Sequence, residues 1–290
     1  MTLLLLLACA SGSDDSAAAA DPLGGTAALA PVSAGACPAN LAEGGRVTLT
    51  SDGLARTVRV ILPTGGAPAG APAVFAWHPL GVSATQLIQY LGLRDWAEAH
   101  QAVVVLPEAR AENPFEWDFW NAGTHDLVLY DDLRTCLVQE LGVDPTRISA
   151  TGMSAGGLMT TYLGIQRGNT LATILPMSGG TEPVVAYTPP TGPFPAMLMY
   201  GGPTDTWGAA GVEIDFQTAT LAFAGALDAD DHFVTVCDHG RGHTIPPEGP
   251  EALTTWLLAH RYGEPSPFAD GALDGLPGYC AAYAPPAPTE

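Results

Sequence analysis

A Gly-x-Ser-x-Gly motif at residues 152–156 is the strongest chemical signal in the sequence. An apolar run ends at Gly152, and a segment with helical spacing, Ala155–Arg167, begins beside Ser154. A sharp turn from strand to helix strains the serine backbone and exposes its hydroxyl, and the flanking glycines prevent collisions with neighbouring backbone. The amide of Ala155 could then donate to an oxyanion. The motif predicts that Ser154 is a nucleophile, although 34 glycines make a chance occurrence the alternative.

A serine hydroxyl needs a histidine base that is oriented by a carboxylate. Where a nucleophile follows a strand in this way, the chain order is serine, acid, histidine. Asp205 follows one apolar run and His243 follows the next, so both fall at strand ends after Ser154. The sequence therefore predicts a Ser154–Asp205–His243 triad.

Other residues compete for these two roles. Asp215 and Asp228 lie within or after a segment with helical spacing, which favours a solvent-facing position. His239 is four residues from His243, but Gly240 and Gly242 favour a loop that delivers the later histidine. The remaining histidines, including His78 and His125, are interpreted as polar loop or surface residues.

Apolar runs and helical segments alternate along the chain. The predicted strands are Arg46–Thr50, Thr57–Leu62, Ala73–Trp77, Ala102–Leu106, Ile148–Gly152, Leu171–Met177, Ala196–Gly201 and Phe233–Cys237. The predicted helices are Thr85–His100, Asp126–Leu141, Ala155–Arg167, Val212–Leu227 and Pro250–Arg261. This alternation predicts an α/β fold, with a mostly parallel sheet of about eight strands covered by helices on both faces. In such sheets, sites form beyond the carboxyl ends of the strands.

Aromatic residues cluster at 115–120, and Trp207 follows the predicted acid by two residues. We expect Trp117, Trp120 and Trp207 to wall a substrate pocket, because aromatic side chains offer large apolar surfaces with few rotamers. The alternative is a satellite core under a long loop. No segment between the strands is long enough for a large lid, which favours an open cleft for a bulky substrate.

The charge balance bears on possible partners. The chain has 290 residues, with 30 acidic and 10 basic side chains, and a formal net charge of −20. Such a surface repels phosphate backbones and anionic headgroups, so nucleic acid is not expected as a partner. The acidic run 228–231 lacks the spacing of a calcium loop, and we expect no metal and no cofactor.

The first nine residues look like the end of a secretion signal. A short apolar run, Leu3–Leu7, leads to Cys9, and this stretch resembles a bacterial lipobox in which the cysteine is lipidated. No basic residue precedes the run, and a plain cleaved signal is the alternative. We expect an exported protein, possible membrane attachment through Cys9, a flexible tether over 10–36, one catalytic domain over 37–283, and a loose tail over 284–290.

Four further cysteines suit an oxidising compartment. They allow three pairings, and none is fixed by the sequence. We favour Cys237 with Cys280, which would tie the tail to the last predicted strand, and therefore Cys37 with Cys136.

Three motifs together resemble the polyhydroxybutyrate depolymerase and feruloyl/acetylxylan esterase group, over roughly residues 45–262. They are Thr151-Gly152-Met153-Ser154-Ala155-Gly156-Gly157, Gly242-His243-Thr244-Ile245-Pro246 and Asp144-Pro145-Thr146-Arg147-Ile148. The resemblance implies an α/β-hydrolase fold, secretion, and the triad named above. It also implies a second oxyanion donor after a His-Gly pair. Here that pair is replaced by His78-Pro79, and the Leu80 amide takes the place.

The resulting hypothesis is a secreted or lipid-anchored serine esterase that forms an acyl-enzyme and acts on a polyester or an acylated polysaccharide. A peptidase or thioesterase of the same fold is one alternative, and the relative turnover of amide and ester substrates distinguishes it. The other alternative is a non-catalytic surface binding module, which the presence of all three triad residue types in the right order disfavours.

Overall fold

The computed structural model describes residues 24–110, 115–209 and 211–285. The strands in these residues are β1 (Gly45–Ser51), β2 (Leu54–Ile61), β3 (Ala73–Trp77), β4 (Val103–Pro107), β5 (Ile148–Met153), β6 (Thr173–Met177), β7 (Ala196–Tyr200), β8 (Thr206–Ala209), β9 (Val212–Asp215), β10 (Val234–Asp238) and β11 (Cys280–Ala282). The α-helices are α1 (Ala84–Tyr90), α2 (Leu93–His100), α3 (His125–Leu141), α4 (Ala155–Arg167), α5 (Phe216–Ala229) and α6 (Gly249–Leu257).

Nine of these strands form one sheet in the order β1-β2-β4-β3-β5-β6-β7-β10-β11. The strands from β4 to β10 in this order run parallel, while β1, β2 and β11 pair antiparallel at the two edges. All eight predicted strands are present. The ninth, β11, has only three residues, too few for a periodic pattern to predict it.

Two apolar layers cover the sheet. Side chains from α3, α4 and α5 pack on one face, and those from α1, α2 and α6 pack on the other. The central parallel strands are buried throughout, as a sheet covered on both faces requires. The predicted α/β layering is therefore confirmed.

Two predicted helices differ from the structure. The segment Thr85–His100 is split into α1 and α2, because Gly92 adopts a left-handed conformation that ends the first helix. The helix predicted over Val212–Leu227 begins too early, because residues 212–215 form β9, which pairs with β8 in a hairpin. Helix α5 begins only after Asp215, whose side chain accepts a hydrogen bond from the Thr218 amide and caps it.

The predicted tether is wrong from residue 24 onward, because the chain up to residue 36 is bound to α3. Ser33 donates from its amide and its hydroxyl to the Asp132 carboxylate, at 2.7 and 2.5 Å. The hydroxyl of Thr135 donates to the Ala30 carbonyl. Residues 10–23, the predicted signal with Cys9, and residues 286–290 lie outside the described residues.

Both favoured disulfides form. Cys37–Cys136 links the N-terminal segment to α3, and Cys237–Cys280 links β10 to β11. Each closes a long loop, of 99 and 43 residues, and so restricts the unfolded chain. In the described part of the chain, no helix combines the length and the apolar character needed to cross a bilayer.

Candidate active site

Ser154 occupies a strained turn between β5 and α4. Its φ is 58° and its ψ is −120°, and its amide donates to the Met177 carbonyl at 3.0 Å. A side chain at position 156 would collide with the Trp77 carbonyl, and one at position 152 would collide with the backbone of residue 156. The two glycines are therefore required by close backbone approach, and the turn holds the Ser154 hydroxyl at the carboxyl edge of the sheet.

The His243 ring joins the other two predicted triad residues. Its Nε2 is 2.8 Å from Ser154 Oγ, and its Nδ1 is 2.7 Å from Asp205 Oδ1. The loop that carries His243 lies against the loop after β7, where the Gly242 amide donates to the Gly201 carbonyl at 2.8 Å. A Cβ at position 201 would collide with the Gly242 carbonyl. This tight approach sets the position of the ring.

The Asp205 carboxylate is fully buried and well supplied with donors. Its Oδ1 faces His243, and its Oδ2 accepts from the Gly201 amide and the Ser178 hydroxyl, both at 2.8 Å. These hydrogen bonds satisfy the oxygens of the buried carboxylate and offset the cost of its burial. Ser178 lies after β6, and no sequence pattern singled it out.

Phe216 is a second site residue that sequence reasoning missed. Its buried ring stacks on His243, with centroids 4.8 Å apart and planes 15° apart. The Phe216 amide donates to the Asp205 carbonyl at 2.9 Å, so both ends of the β8–β9 hairpin lie beside the acid. This contact depends on the hairpin, which the sequence had suggested was helix.

The competing residues are placed elsewhere. Nδ1 of His239 accepts from the Arg241 amide, and its ring packs against Tyr279. Burial lowers the pKa of His239, which disfavours its protonated form. Asp215 caps α5 and is exposed. The geometry brings Asp205 and His243 to Ser154, as the chain order predicted.

The loop after β3 is held by His78, which was expected to be an ordinary polar loop or surface residue. The ring is buried; its Nε2 accepts from the Ala109 amide at 3.1 Å, so Nδ1 carries the proton and donates to the Pro79 carbonyl at 3.0 Å. Across the same loop, the Gly81 amide donates to Glu116 Oε1 at 3.0 Å. Among the described residues, the Leu80 amide has no acceptor.

The assignment of Trp117 to the substrate pocket is wrong. The side chain is fully buried, packs edge-on against Trp77, and donates from Nε1 to the His78 carbonyl at 3.0 Å. No surface is left for a substrate, so the contribution of Trp117 is to support the loop that carries Leu80.

Two cavities meet at Ser154. One is an open groove of about 530 Å³, rimmed by Tyr90 and several prolines. The other is a narrow apolar pocket of about 20 Å³ with walls of Phe115, Phe119, Trp120, Leu158, Trp207 and Phe216. Trp207 borders both cavities, so two of the three predicted pocket aromatics lie beside Ser154. Within the described ranges, no cluster of three or more His, Cys, Asp or Glu side chains could hold a metal ion.

Two curated proteins are similar to part of the chain. "Putative esterase NocK" of Nocardia uniformis subsp. tsuyamanensis is 30% identical over 149 residues, which are 47% of this chain and 42% of that protein. "Feruloyl esterase D" of Neurospora crassa is 27% identical over 181 residues, which are 56% of this chain and 61% of that protein. The matches thus span less than two thirds of either relative. No protein-family model matches the chain.

Solved structures show the fold. The crystal structure of native pOPH superimposes with a TM-score of 0.70 at 20% identity, and covers 87% of this chain and 98% of that chain. The chain therefore has the α/β-hydrolase fold and is similar in sequence to esterases, which confirms the resemblance that its motifs indicated.

Proposed function

We propose that this protein is a serine esterase that hydrolyses carboxylic esters through an acyl-enzyme. The observation that carries the proposal is the continuous hydrogen-bonded chain from Ser154 Oγ through His243 to the buried carboxylate of Asp205. The similarity to two esterases supports the same reaction class.

In the proposed reaction, Ser154 Oγ attacks the ester carbonyl while His243 Nε2 takes its proton. The Asp205 carboxylate holds Nδ1–H and stabilises the imidazolium. When the tetrahedral intermediate collapses, the ester C–O bond breaks and His243 returns the proton to the departing alcohol. A water molecule, deprotonated by His243, then attacks the acyl carbonyl and releases the carboxylic acid and free Ser154.

The oxyanion of each tetrahedral intermediate needs donors. We assign this role to the amides of Ala155 and Leu80. Ala155 is the first residue of α4, so its amide has no acceptor within the helix. Leu80 borders both cavities beside Ser154, and its neighbour's amide is already bound to Glu116. Fixed backbone donors need no reorganisation as charge develops.

The two cavities suggest how an ester would lie. The narrow apolar pocket, which includes Trp120 and Trp207, suits a small or flat apolar group, and the open groove leaves room for a bulky partner on the other side of the scissile bond. A polymeric or polysaccharide ester is compatible with this open side. We propose an extracellular location, since two disulfides are stable only under oxidising conditions.

The test is hydrolysis of a chain-length series of p-nitrophenyl esters, with methyl ferulate, by wild type and Ser154→Ala. We expect wild type to turn over at least one ester, and the variant to lose on the order of 10³-fold or more in kcat. Ser149→Ala is the matched control: it truncates a buried serine on β5 whose hydroxyl lies near the Leu257 carbonyl and not in the cleft.

Equal activity of Ser154→Ala and wild type would contradict the proposal. A wild type that cleaves amides but no ester would move the acyl group to a peptide. A folded wild type that cleaves neither would favour the non-catalytic binding module.

A further inference from the structure

A second groove lies at the β1–β2 edge of the sheet, outside the triad. It has a volume of about 620 Å³, and four of its lining residues are Arg46, Arg56, Arg59 and Arg110. The whole chain contains only 10 basic residues and carries a net charge of −20. Four of those ten thus border a single groove, together with one acidic residue, Glu108, but the Arg56 side chain is buried against Asp126 on the other face of β2, which leaves three guanidinium groups for a ligand. Such a concentration of guanidinium groups is unexpected in so acidic a protein.

The strand register explains why two of these arginines lie together. Arg46 on β1 is directly opposite Arg59 on β2, and directly paired residues share a face of the sheet. Like charges in this arrangement repel each other and destabilise the pair unless an anion lies between them. No acidic side chain of the described residues lies within ion-pair distance of Arg46.

The acidic residues near the groove leave some guanidinium N–H groups without a hydrogen bond. Arg56 and Arg110 each pair with an aspartate at 2.6 Å, through one terminal nitrogen only. Arg59 Nε is 3.6 Å from Glu108, and Glu108 already accepts a hydrogen bond from the Ala84 amide. The donors that a ligand can reach belong to the exposed side chain of Arg46 and to the half-buried side chains of Arg59 and Arg110, whereas the Arg56 guanidinium is fully buried. Among the described residues, no acceptor bonds to Arg46 or to the terminal nitrogens of Arg59, and Arg110 donates to Asp118 through one nitrogen only, so these side chains keep free donors.

We propose that this groove binds an oxyanion group, namely a carboxylate, phosphate or sulfate. Guanidinium groups match the planar, two-oxygen geometry of such anions and bind them through paired, charge-assisted hydrogen bonds. The ligand brings acceptors for these accessible donors and relieves the repulsion between Arg46 and Arg59. The binding is local, because the net charge of the whole chain disfavours non-specific attraction of anions.

The groove and the catalytic cleft are on opposite sides of one loop. Glu108 and Ala109 line the groove and bond to Ala84, the first residue of α1, and to His78 in the loop after β3. Leu80 of the same loop borders the cavities at Ser154. An acidic saccharide could therefore reach the groove while part of it lies near the cleft, whereas a free anion would occupy the groove alone.

Calorimetric titration at low ionic strength tests the proposal on the full chain, in a buffer without oxyanions. The probes are trigalacturonate, its neutral counterpart maltotriose, and inorganic phosphate. We expect saturable binding of at least one anionic probe, no binding of maltotriose, and about tenfold weaker binding for each of Arg46→Gln and Arg59→Gln. Tighter binding of trigalacturonate than phosphate identifies a saccharide carboxylate, and the reverse identifies a small free anion.

The matched control is Arg94→Gln, which removes an exposed arginine from α2 and leaves the groove intact. Thr57→Glu provides a second variant that keeps every arginine and adds a competing carboxylate to the groove, so it too should weaken binding. The proposal is overturned if neither anion binds wild type, or if Arg94→Gln weakens binding as much as Arg59→Gln does. These outcomes are independent of ester hydrolysis, because binding alone is measured.

Discussion

Two histidines in this protein each bridge a serine hydroxyl and a carboxylate or carbonyl oxygen, in different regions of the molecule. His243, at the carboxyl edge of the sheet, is 2.8 Å from Ser154 Oγ, and its ring stacks on an aromatic side chain. His260, after α6, is also 2.8 Å from a serine, Ser266, and also lies against aromatic rings. The local geometry of the two pairs is nearly the same.

What differs is the group on the other ring nitrogen and the access to solvent. Nδ1 of His243 faces the Asp205 carboxylate, whereas Nδ1 of His260 donates to the Trp256 carbonyl. His243 is partly exposed to a cleft, and His260 is buried, which lowers its pKa to about 4. A serine–imidazole pair is thus not sufficient for nucleophilic catalysis. A carboxylate to stabilise the imidazolium and a cavity to admit an ester are also required.

The largest effect is expected when the carboxylate beside His243 loses its charge, because the His243 pair then resembles the His260 pair. We expect Asp205→Asn to lower kcat by on the order of 10³- to 10⁴-fold on any p-nitrophenyl ester that wild type cleaves, because an amide does not stabilise the imidazolium and admits the wrong tautomer.

Asp215→Asn is the matched control, since it makes the same change at an exposed helix cap ten residues along the chain, where asparagine caps equally well. If Asp205→Asn keeps an activity within a few-fold of wild type, catalysis does not depend on the carboxylate charge.

The second prediction concerns stability and uses the His260 region. The folded-state pKa of His260 is about 4, below its ordinary value of 6.5, because burial opposes the charged ring. The unfolded chain therefore binds this proton first as the pH falls. The stabilisation is complete above pH 6.5 and is lost as the pH falls from there to about 4. The loss is on the order of 3 kcal/mol.

Urea unfolding at pH 7.5 and pH 4.5 measures this loss. In His260→Gln, which cannot titrate, the difference in unfolding free energy between the two pH values should shrink by most of that amount. Other groups titrate equally in both proteins and cancel. An unchanged pH dependence would mean that His260 is protonated within the fold.

The sequence was sufficient to predict the parts of the site that follow strand ends. Ser154, Asp205 and His243 each fall in the turn or loop that follows an apolar run, and in a parallel sheet those ends meet at one edge. The alternation of strands and helices likewise predicted eight of the nine strands of the large sheet. These features depend on local periodicity and chain order, which are visible in a single sequence.

The residues that were missed depend on contacts between distant segments. Ser178 and His78 have no pattern of their own, and their roles arise only when the loops fold against Asp205 and Ala109. Trp117 was misplaced because aromatic density indicates burial or a cleft equally well. The four residues of β9 were too short to distinguish from the first turn of a helix.

The smallest expected effect on kcat concerns Phe216, whose ring lies beside His243 and either positions the base or only fills space. We expect Phe216→Leu to lower kcat about tenfold, since a branched aliphatic side chain no longer fixes the plane of the imidazole. Phe223→Leu is the matched control: it makes the same change at another fully buried position on α5, where the ring faces Tyr187 and not His243.

Both variants should lose similar stability, because each exchanges one buried ring for leucine. If both also lower kcat equally, the effect is general loosening of α5. If only Phe216→Leu does, and Phe216→Tyr restores the rate, the stacked ring positions the base.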